Sequence, residues 1–179
     1  MIKILIVDDS ETETTILRHI LEENTDFQVI GCARNGAEAV RLVPLLKPDL
    51  ITMDIQMPVM DGFEATRLIM SQNPTPIVVI SSNLNDIELD ATFRALNAGA
   101  LSVLAKPFHI TSPTFKYERK RIIDTVRSMA EIKVAKRRDP VDNTPQQFTI
   151  RPVAAEKHGT QEIVAIGASI GGKIGRAHV

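Results

Sequence analysis

The sequence predicts an α/β domain built on a five-stranded, doubly wound parallel sheet, followed by a linker and the first strand of a truncated second α/β domain. Five short apolar runs alternate with five segments of helical periodicity, and this alternation requires a parallel sheet covered by helices on both faces. Acidic, hydroxyl and basic residues also recur where the runs end, which is where open α/β sheets bind ligands. The pattern occupies residues 1–130, an ordinary size for one domain.

The strands are predicted from the apolar runs. The first run is continuous in leucine and β-branched residues, which is typical of a strand buried on both faces. The five predicted strands span residues 2–7, 27–33, 50–53, 77–80 and 101–105.

The helices are predicted from their periodicity and from their start and stop signals. Ser10 and Glu13 fit a capping box ahead of the first helix, and Asp61 with Glu64 has the same spacing ahead of the third. Gly99 closes the fourth. The helices are predicted from residue 10 through 21, over 37–46, from 61 to about 70, over 86–98 and from about 114 to 135, the last with an apolar stripe of Ile122, Val126, Met129 and Ile132.

The composition excludes several classes of protein. A hydrophobic content of 44% and a charged content of 24% are globular values, and the net charge of −1 favours neither nucleic acid nor an anionic membrane as a partner. Cys32 is the single cysteine, so a disulfide framework is impossible. No signal peptide and no apolar run of about 18 residues is present. We therefore expect a cytoplasmic protein without a nucleic-acid partner and without direct membrane insertion.

Four predicted strands are followed by residues that suit phosphoryl chemistry. Asp8 and Asp9 follow the first strand, Asp54 the third, Ser81 the fourth and Lys106 the fifth, so all lie at one edge of the sheet. Three close carboxylates repel one another and should bind a hard divalent cation, most plausibly Mg²⁺. The lysine and the hydroxyl could contact phosphoryl oxygens. Together these residues suit phosphoryl transfer onto Asp54.

Each of these residues also has a simpler interpretation. The carboxylates of Asp8 and Asp9 would be favourable ahead of any helix N-terminus. Lys106 followed by proline could be an ordinary turn, and Asp61 is better explained as a helix cap than as a ligand. The phosphoacceptor interpretation is favoured because the strand-end rule is met four times in one chain.

The same residues resemble the response-regulator receiver domain of two-component signalling, over roughly residues 1–130. The resemblance rests on the pair Asp8-Asp9, on Asp54 followed by Met57-Pro58 and Asp61-Gly62, on Ser81 and on Lys106-Pro107. It implies a flavodoxin-like fold in which Asp54 accepts a phosphoryl group from the phosphohistidine of a kinase.

The resemblance also implies roles for the surrounding residues. Asp9, Asp54 and the Gln56 backbone carbonyl would bind Mg²⁺ directly, and Asp8 would assist through water. Lys106 and Ser81 would sense the phosphoryl group. Val103 stands three residues before the lysine, where receivers often carry an aromatic switch residue. A switch by rotation of an aromatic ring is therefore not expected, whereas movement of Ser81 remains available.

The chain changes character after the predicted domain. Residues 131–161 are charged, polar and proline-containing, as expected of a linker, and residues 162–172 open a new strand with a glycine-rich exit. Within it, Gly167 to Gly171 satisfies the G-x-S-x-G spacing of a serine nucleophile, here Ser169. A plain turn or a phosphate-binding loop is an alternative. A P-loop is disfavoured because Ile174 stands where a serine or threonine is needed.

This stretch is similar to the start of the catalytic domain of CheB-type protein-glutamate methylesterases. The resemblance implies that Ser169 removes methyl groups from glutamate methyl esters of chemoreceptors, that the family also deamidates glutamines, and that a chemotaxis histidine kinase is the phosphodonor. The family has threonine where Ile170 stands. The base and acid partners of the serine are absent from this chain, so we expect it to carry the regulatory half and to be inactive as an esterase. The alternative is a receiver with a different output or with none.

The last seven residues have a separate explanation. Residues 173–179 can be written as AAG ATC GGA AGA GCA CAC GTC, which resembles a common short-read sequencing adapter read in frame. We therefore expect them to be a sequencing-adapter or cloning scar, to be excluded from reasoning about the fold.

Overall fold

The computed structural model describes residues 1–81, 88–106 and 113–136. Within them lie five strands, β1 (Ile2–Val7), β2 (Phe27–Ala33), β3 (Leu50–Met53), β4 (Ile77–Ser81) and β5 (Ser102–Ala105). They form one parallel sheet in the order β2-β1-β3-β4-β5. The order reverses between β1 and β3, which creates the crevice at which doubly wound sheets place their ligands. The predicted five-stranded, doubly wound parallel sheet is confirmed.

Helices cover both faces of the sheet because successive side chains of each strand point to opposite faces. The helices are α1 (Glu11–Glu22), α2 (Gly36–Leu46), α3 (Gly62–Gln72), α4 (Glu88–Ala98) and α5 (Phe115–Ala130). Leu5 and Val7 of β1 join a core with α2, α3 and α4, whereas Ile4 and Ile6 join a second core with α1 and α5. None of the helices described is long and apolar enough to cross a membrane.

The predicted end of the last helix was wrong by about one turn. The structure ends α5 at Ala130, and the chain then runs without regular structure through residue 136. Ile132, predicted on the apolar stripe, is 40% exposed, whereas Val134 packs against the core on the opposite face of the sheet. A straight continuation of α5 would keep the residues after Ala130 on its own face, so the helix ends where the chain crosses to the other core. The segments predicted at 162–172 and 173–179, and the linker beyond residue 136, lie outside the described residues.

The second core contains a buried hydroxyl without a partner among the residues that the structure describes. Thr52 of β3 is 1% exposed, and its neighbours across the sheet, Ile6 and Val78, both belong to that core. Within this part of the chain, no group forms a hydrogen bond with its Oγ1. A buried hydroxyl without a partner costs stability because its bonds to water are lost and not replaced.

We predict that Thr52→Val raises the free energy of unfolding by about 1 kcal/mol, since valine keeps the β-branched shape and removes the unpaired hydroxyl. Urea denaturation followed by circular dichroism measures the change. Thr52→Ser is the matched control, because it keeps the hydroxyl, loses a buried methyl group and should be less stable than the parent. A valine variant that is less stable than the parent would contradict the prediction and indicate a buried partner such as a water molecule.

Candidate functional site

The backbone hydrogen bonds of the sheet continue one residue beyond three of its strands and place the candidate residues. The amide of Asp8 donates to the carbonyl of Ala33 at 2.9 Å, and the amide of Asp54 donates to the carbonyl of Val7 at 2.9 Å. At the other side of the site the amide of Lys106 donates to the carbonyl of Ser81 at 3.1 Å. The side chains predicted to meet at this edge therefore start from fixed backbone positions.

Lys106 occupies the centre of the site. Its Nζ lies 2.8 Å from Asp8 Oδ2 and 3.1 Å from Asp54 Oδ2, and it also donates a hydrogen bond to the carboxylate of Glu13. The lysine is only 7% exposed. Burial by itself would lower the pKa of the Lys106 ammonium, but the hydrogen bonds to Asp8 and Glu13 and the charge of Asp54 outweigh it and raise the pKa above its ordinary value. The ammonium is therefore retained at physiological pH.

The two buried aspartates are held at both of their oxygens. Asp8 Oδ1 accepts a hydrogen bond from the Ser10 amide at 2.9 Å, and Asp54 Oδ1 accepts one from the Ile55 amide at 2.8 Å. Each carboxylate then presents its Oδ2 to Lys106. Burial raises the pKa of the Asp8 carboxyl above its ordinary value, although the bonds from Lys106 and Ser10 oppose the shift.

Asp8, Asp9 and Asp54 form a carboxylate trio that suits a divalent cation. One ligand oxygen from each residue lies within 4.8 Å of the other two. Asp8 and Asp54 are each 5% exposed, whereas Asp9 is exposed to solvent. Hard carboxylate oxygens with a solvent-facing side fit Mg²⁺, which keeps several of its waters when it binds a protein.

The loop between β3 and α3 brings the chain back against Asp54. The Gly62 amide donates to the Ile55 carbonyl at 2.9 Å, and a Cβ placed on Gly62 would lie 2.0 Å from the backbone oxygen of Asp54. Asp61 caps α3, because its Oδ1 accepts a hydrogen bond from the Glu64 amide at 2.8 Å. The hydrogen bond agrees with the interpretation of Asp61 as a helix cap. The close approach to the backbone of Asp54 explains why residue 62 is glycine.

The remaining predicted residues lie near the site in different ways. Ser81 ends β4 and is 1% exposed, and Gln56 lies in the loop two residues after Asp54 with an exposed side chain. Val103 of β5 is partly buried and packs against the core with α2, α3 and α4. The roles of the Ser81 hydroxyl and of the Gln56 carbonyl stay predictions. Ser169 lies outside the described residues.

Glu13 is the site residue that the sequence interpretation missed. The capping box is only half formed: the Ser10 hydroxyl accepts from the Glu13 amide at 3.4 Å, but the Glu13 carboxylate bonds Lys106 and does not return to the Ser10 amide. A signal was available, since Ile16, Leu17 and the buried Ile20 follow Glu13 at helical spacing and mark its face of α1 as the core face.

Comparisons with known proteins agree on the class of domain. The family described as the response regulator receiver domain matches residues 4–112. A protein-glutamate methylesterase/protein-glutamine glutaminase of Syntrophus aciditrophicus is 43% identical, and the match covers 96% of this chain and 49% of that protein. The chain thus spans about half the length of the curated relatives that it matches.

Solved structures give the same result for the fold. The response regulator domain of Thermotoga maritima CheB superposes with a TM-score of 0.67 at 36% identity, covering 74% of this chain and 98% of that domain. The receiver domain of a sensor histidine kinase of Pseudomonas aeruginosa, solved with a magnesium ion in its active-site cleft, superposes with a TM-score of 0.59 at 27% identity, covering 72% and 97%.

We predict that Gly62→Ala destabilises the domain by about 1–3 kcal/mol and weakens binding of divalent cations, because the new methyl group must push the backbone of Asp54 out of place. Chemical denaturation and calorimetric Mg²⁺ titration measure the two effects. Gly31→Ala is the control, since its new Cβ would meet the movable end of the Leu46 side chain and lies in β2. Unchanged Mg²⁺ affinity in a folded Gly62→Ala variant would contradict the prediction.

Proposed function

The chain belongs to the response-regulator receiver family, and from that premise we propose that Asp54 accepts a phosphoryl group from the phosphohistidine of a chemotaxis histidine kinase. The observation that carries the proposal is the position of Asp54: its carboxylate is buried at the carboxyl end of a central strand, beside a lysine and two further aspartates. A carboxylate in such surroundings is a nucleophile with a counter-charge already in place.

The reaction transfers one group between two side chains. A carboxylate oxygen of Asp54 attacks the phosphorus, a new O–P bond forms, the N–P bond to the kinase histidine breaks, and its electron pair remains on the imidazole. Lys106 lies 3.1 Å from Asp54 Oδ2, so its ammonium is placed to balance charge on the transferred group. The Ile55 amide holds the other carboxylate oxygen and orients the nucleophile.

Mg²⁺ is the proposed cofactor. Asp9, Asp54 and the Gln56 backbone carbonyl would bind it directly, and Asp8 would assist through water. The ion would neutralise charge on the phosphoryl oxygens during transfer. The carboxylate trio described above and the magnesium in the related Pseudomonas aeruginosa domain support this assignment.

Lys106 and Ser81 are the proposed sensors of the phosphorylated state. The Ser81 hydroxyl would donate to a phosphoryl oxygen and Lys106 would form an ion pair with another. The Lys106 amide donates a hydrogen bond to the Ser81 carbonyl, so the two proposed sensors are linked directly through their backbone. Because Val103 stands where many receivers have an aromatic ring, the change would proceed through movement of Ser81.

For the intact protein we propose phosphorylation-controlled protein-glutamate methylesterase and glutamine deamidase activity on chemoreceptors in the cytoplasm. Residues 1–130 would be the receiver, 131–161 the linker, 162–172 the start of the catalytic domain with Ser169 as nucleophile, and 173–179 a scar. The matches to methylesterases support this, since they cover 96% of the chain and so extend beyond the receiver. A receiver with a different output, or with none, is the alternative, and the same extended matches disfavour it.

Asp54→Asn should abolish Mg²⁺-dependent phosphorylation by acetyl phosphate, because the amide cannot form the acyl phosphate. Intact-protein mass spectrometry detects the added phosphoryl group. Asp61→Asn is a matched control in the same loop, since asparagine caps a helix as well as aspartate does, and it should be labelled like the parent. Persistent labelling of the Asp54 variant would mean that another carboxylate is the acceptor.

The 179-residue chain should release no methanol from methylated chemoreceptor, since Ser169 would lack the base and the orienting acid that a serine nucleophile needs. The Syntrophus aciditrophicus relative, assayed in parallel as the full-length protein, provides the positive control. Methanol release by the purified 179-residue chain above that of its Ser169→Ala variant would contradict this expectation.

A further inference from the structure

The three carboxylates around Lys106 are not equivalent. Asp8 and Asp54 belong to the carboxylate trio, whereas Glu13 comes from α1 and is not part of it among the residues described. Glu13 is also less buried, with 31% of its side chain exposed against 3% and 6% for the two aspartates. The Lys106 ammonium thus has two partners that could also be ligands of a metal ion, and a third, Glu13, that is not among these ligands.

A divalent cation and the Lys106 ammonium would compete for the same two carboxylates. The lysine bonds Oδ2 of both Asp8 and Asp54, and the trio offers these residues as cation ligands. Two cations this close would repel each other strongly in a buried site. Binding of the metal would therefore weaken two of the three bonds of Lys106 and leave the bond to Glu13.

The surroundings of Glu13 suit a carboxylate that holds the Lys106 ammonium beside the carboxylate trio. Glu13 and Lys106 both line a cavity of about 210 Å³, whose wall is apolar at Ile16, Leu17 and Ile80 and polar at Asp8, Ser10 and Thr12. The ion pair between Glu13 and Lys106 thus lies at the boundary between the carboxylate trio and the apolar side of the cavity. The Glu13 carboxylate does not cap α1, because the cap is formed by the Ser10 hydroxyl and the backbone amide of Glu13.

We propose that Glu13 is a positioning residue for Lys106: it keeps the ammonium bound when Mg²⁺ occupies the trio, and it competes with the phosphoryl group on Asp54 for that ammonium. This inference rests on the proposed function of Asp54 and deepens it. Glu13 should then favour the metal-bound, unphosphorylated state and disfavour the phosphorylated state. Its two effects have opposite signs, which a purely structural role does not produce.

The test compares Glu13→Gln with the parent in two calorimetric titrations. With MgCl₂ alone, we expect the Kd of the variant to rise about fivefold or more, because Lys106 then has only the cation ligands as partners. With trifluoroberyllate at saturating Mg²⁺, as a mimic of the phosphoryl group, we expect the Kd to fall about fivefold or more, because the competing carboxylate is gone.

Glu11→Gln is the control for the general effect of removing one negative charge from α1. Glu11 is exposed, pairs with Arg34 at 2.5 Å and has no contact with Lys106, so its replacement should change neither Kd by more than a small amount. Thermal unfolding should show that both variants fold, since glutamine suits a helix as well as glutamate does and the cap of α1 is untouched.

Each result decides the matter. A rise in one Kd with a fall in the other supports the proposal. Weaker binding of both ligands would assign Glu13 a structural role, and changes no larger than those of Glu11→Gln would show that it does not control Lys106. If the parent failed to bind trifluoroberyllate, the phosphoacceptor role of Asp54 would be contradicted, while the Mg²⁺ titration would still decide whether Glu13 holds Lys106.

Discussion

The site depends on one buried ammonium. Burial of the Asp8 carboxylate is unfavourable because desolvation of a carboxylate costs several kcal/mol, and a cation beside it offsets that cost. Lys106, which directly follows β5, supplies that cation. The carboxylates in turn raise the pKa of the Lys106 ammonium and so keep it protonated. Removing any member leaves the others with unbalanced charge, so the two aspartates and the lysine form a single electrostatic unit.

The backbone of the sheet, and not the side chains, sets the geometry of that unit. A backbone hydrogen bond just past the end of a strand holds each of Asp8, Asp54 and Lys106. Their backbone positions therefore follow from the hydrogen-bonding pattern of the parallel sheet and its strand order. Gly62 adds a steric requirement, because only a residue without a Cβ lets the following loop return to the backbone of Asp54. The position of Asp54 therefore depends on packing eight residues further along the chain.

The strands and most of the site could be predicted from the sequence because both follow from simple rules. Continuous apolar runs leave no doubt about strands such as β1, and the strand-end rule places Asp54 and Lys106 together. Glu13 was assigned to a capping box because that motif is local, whereas its real partner is 93 residues away and is found only through the fold. The sequence predicted too late an end for α5 for a similar reason, because the packing of Val134 against the opposite core is a tertiary interaction.

The uneven exposure of the carboxylate trio has a kinetic consequence. Asp9 faces solvent while Asp8 and Asp54 are buried, so an incoming ion meets an open carboxylate before it reaches the closed ones. For the proposed Mg²⁺, the slow step of entry would be the loss of hydration water, which this ion holds tightly. The rate of entry would then depend on the chemistry of the ion more than on any movement of the sheet.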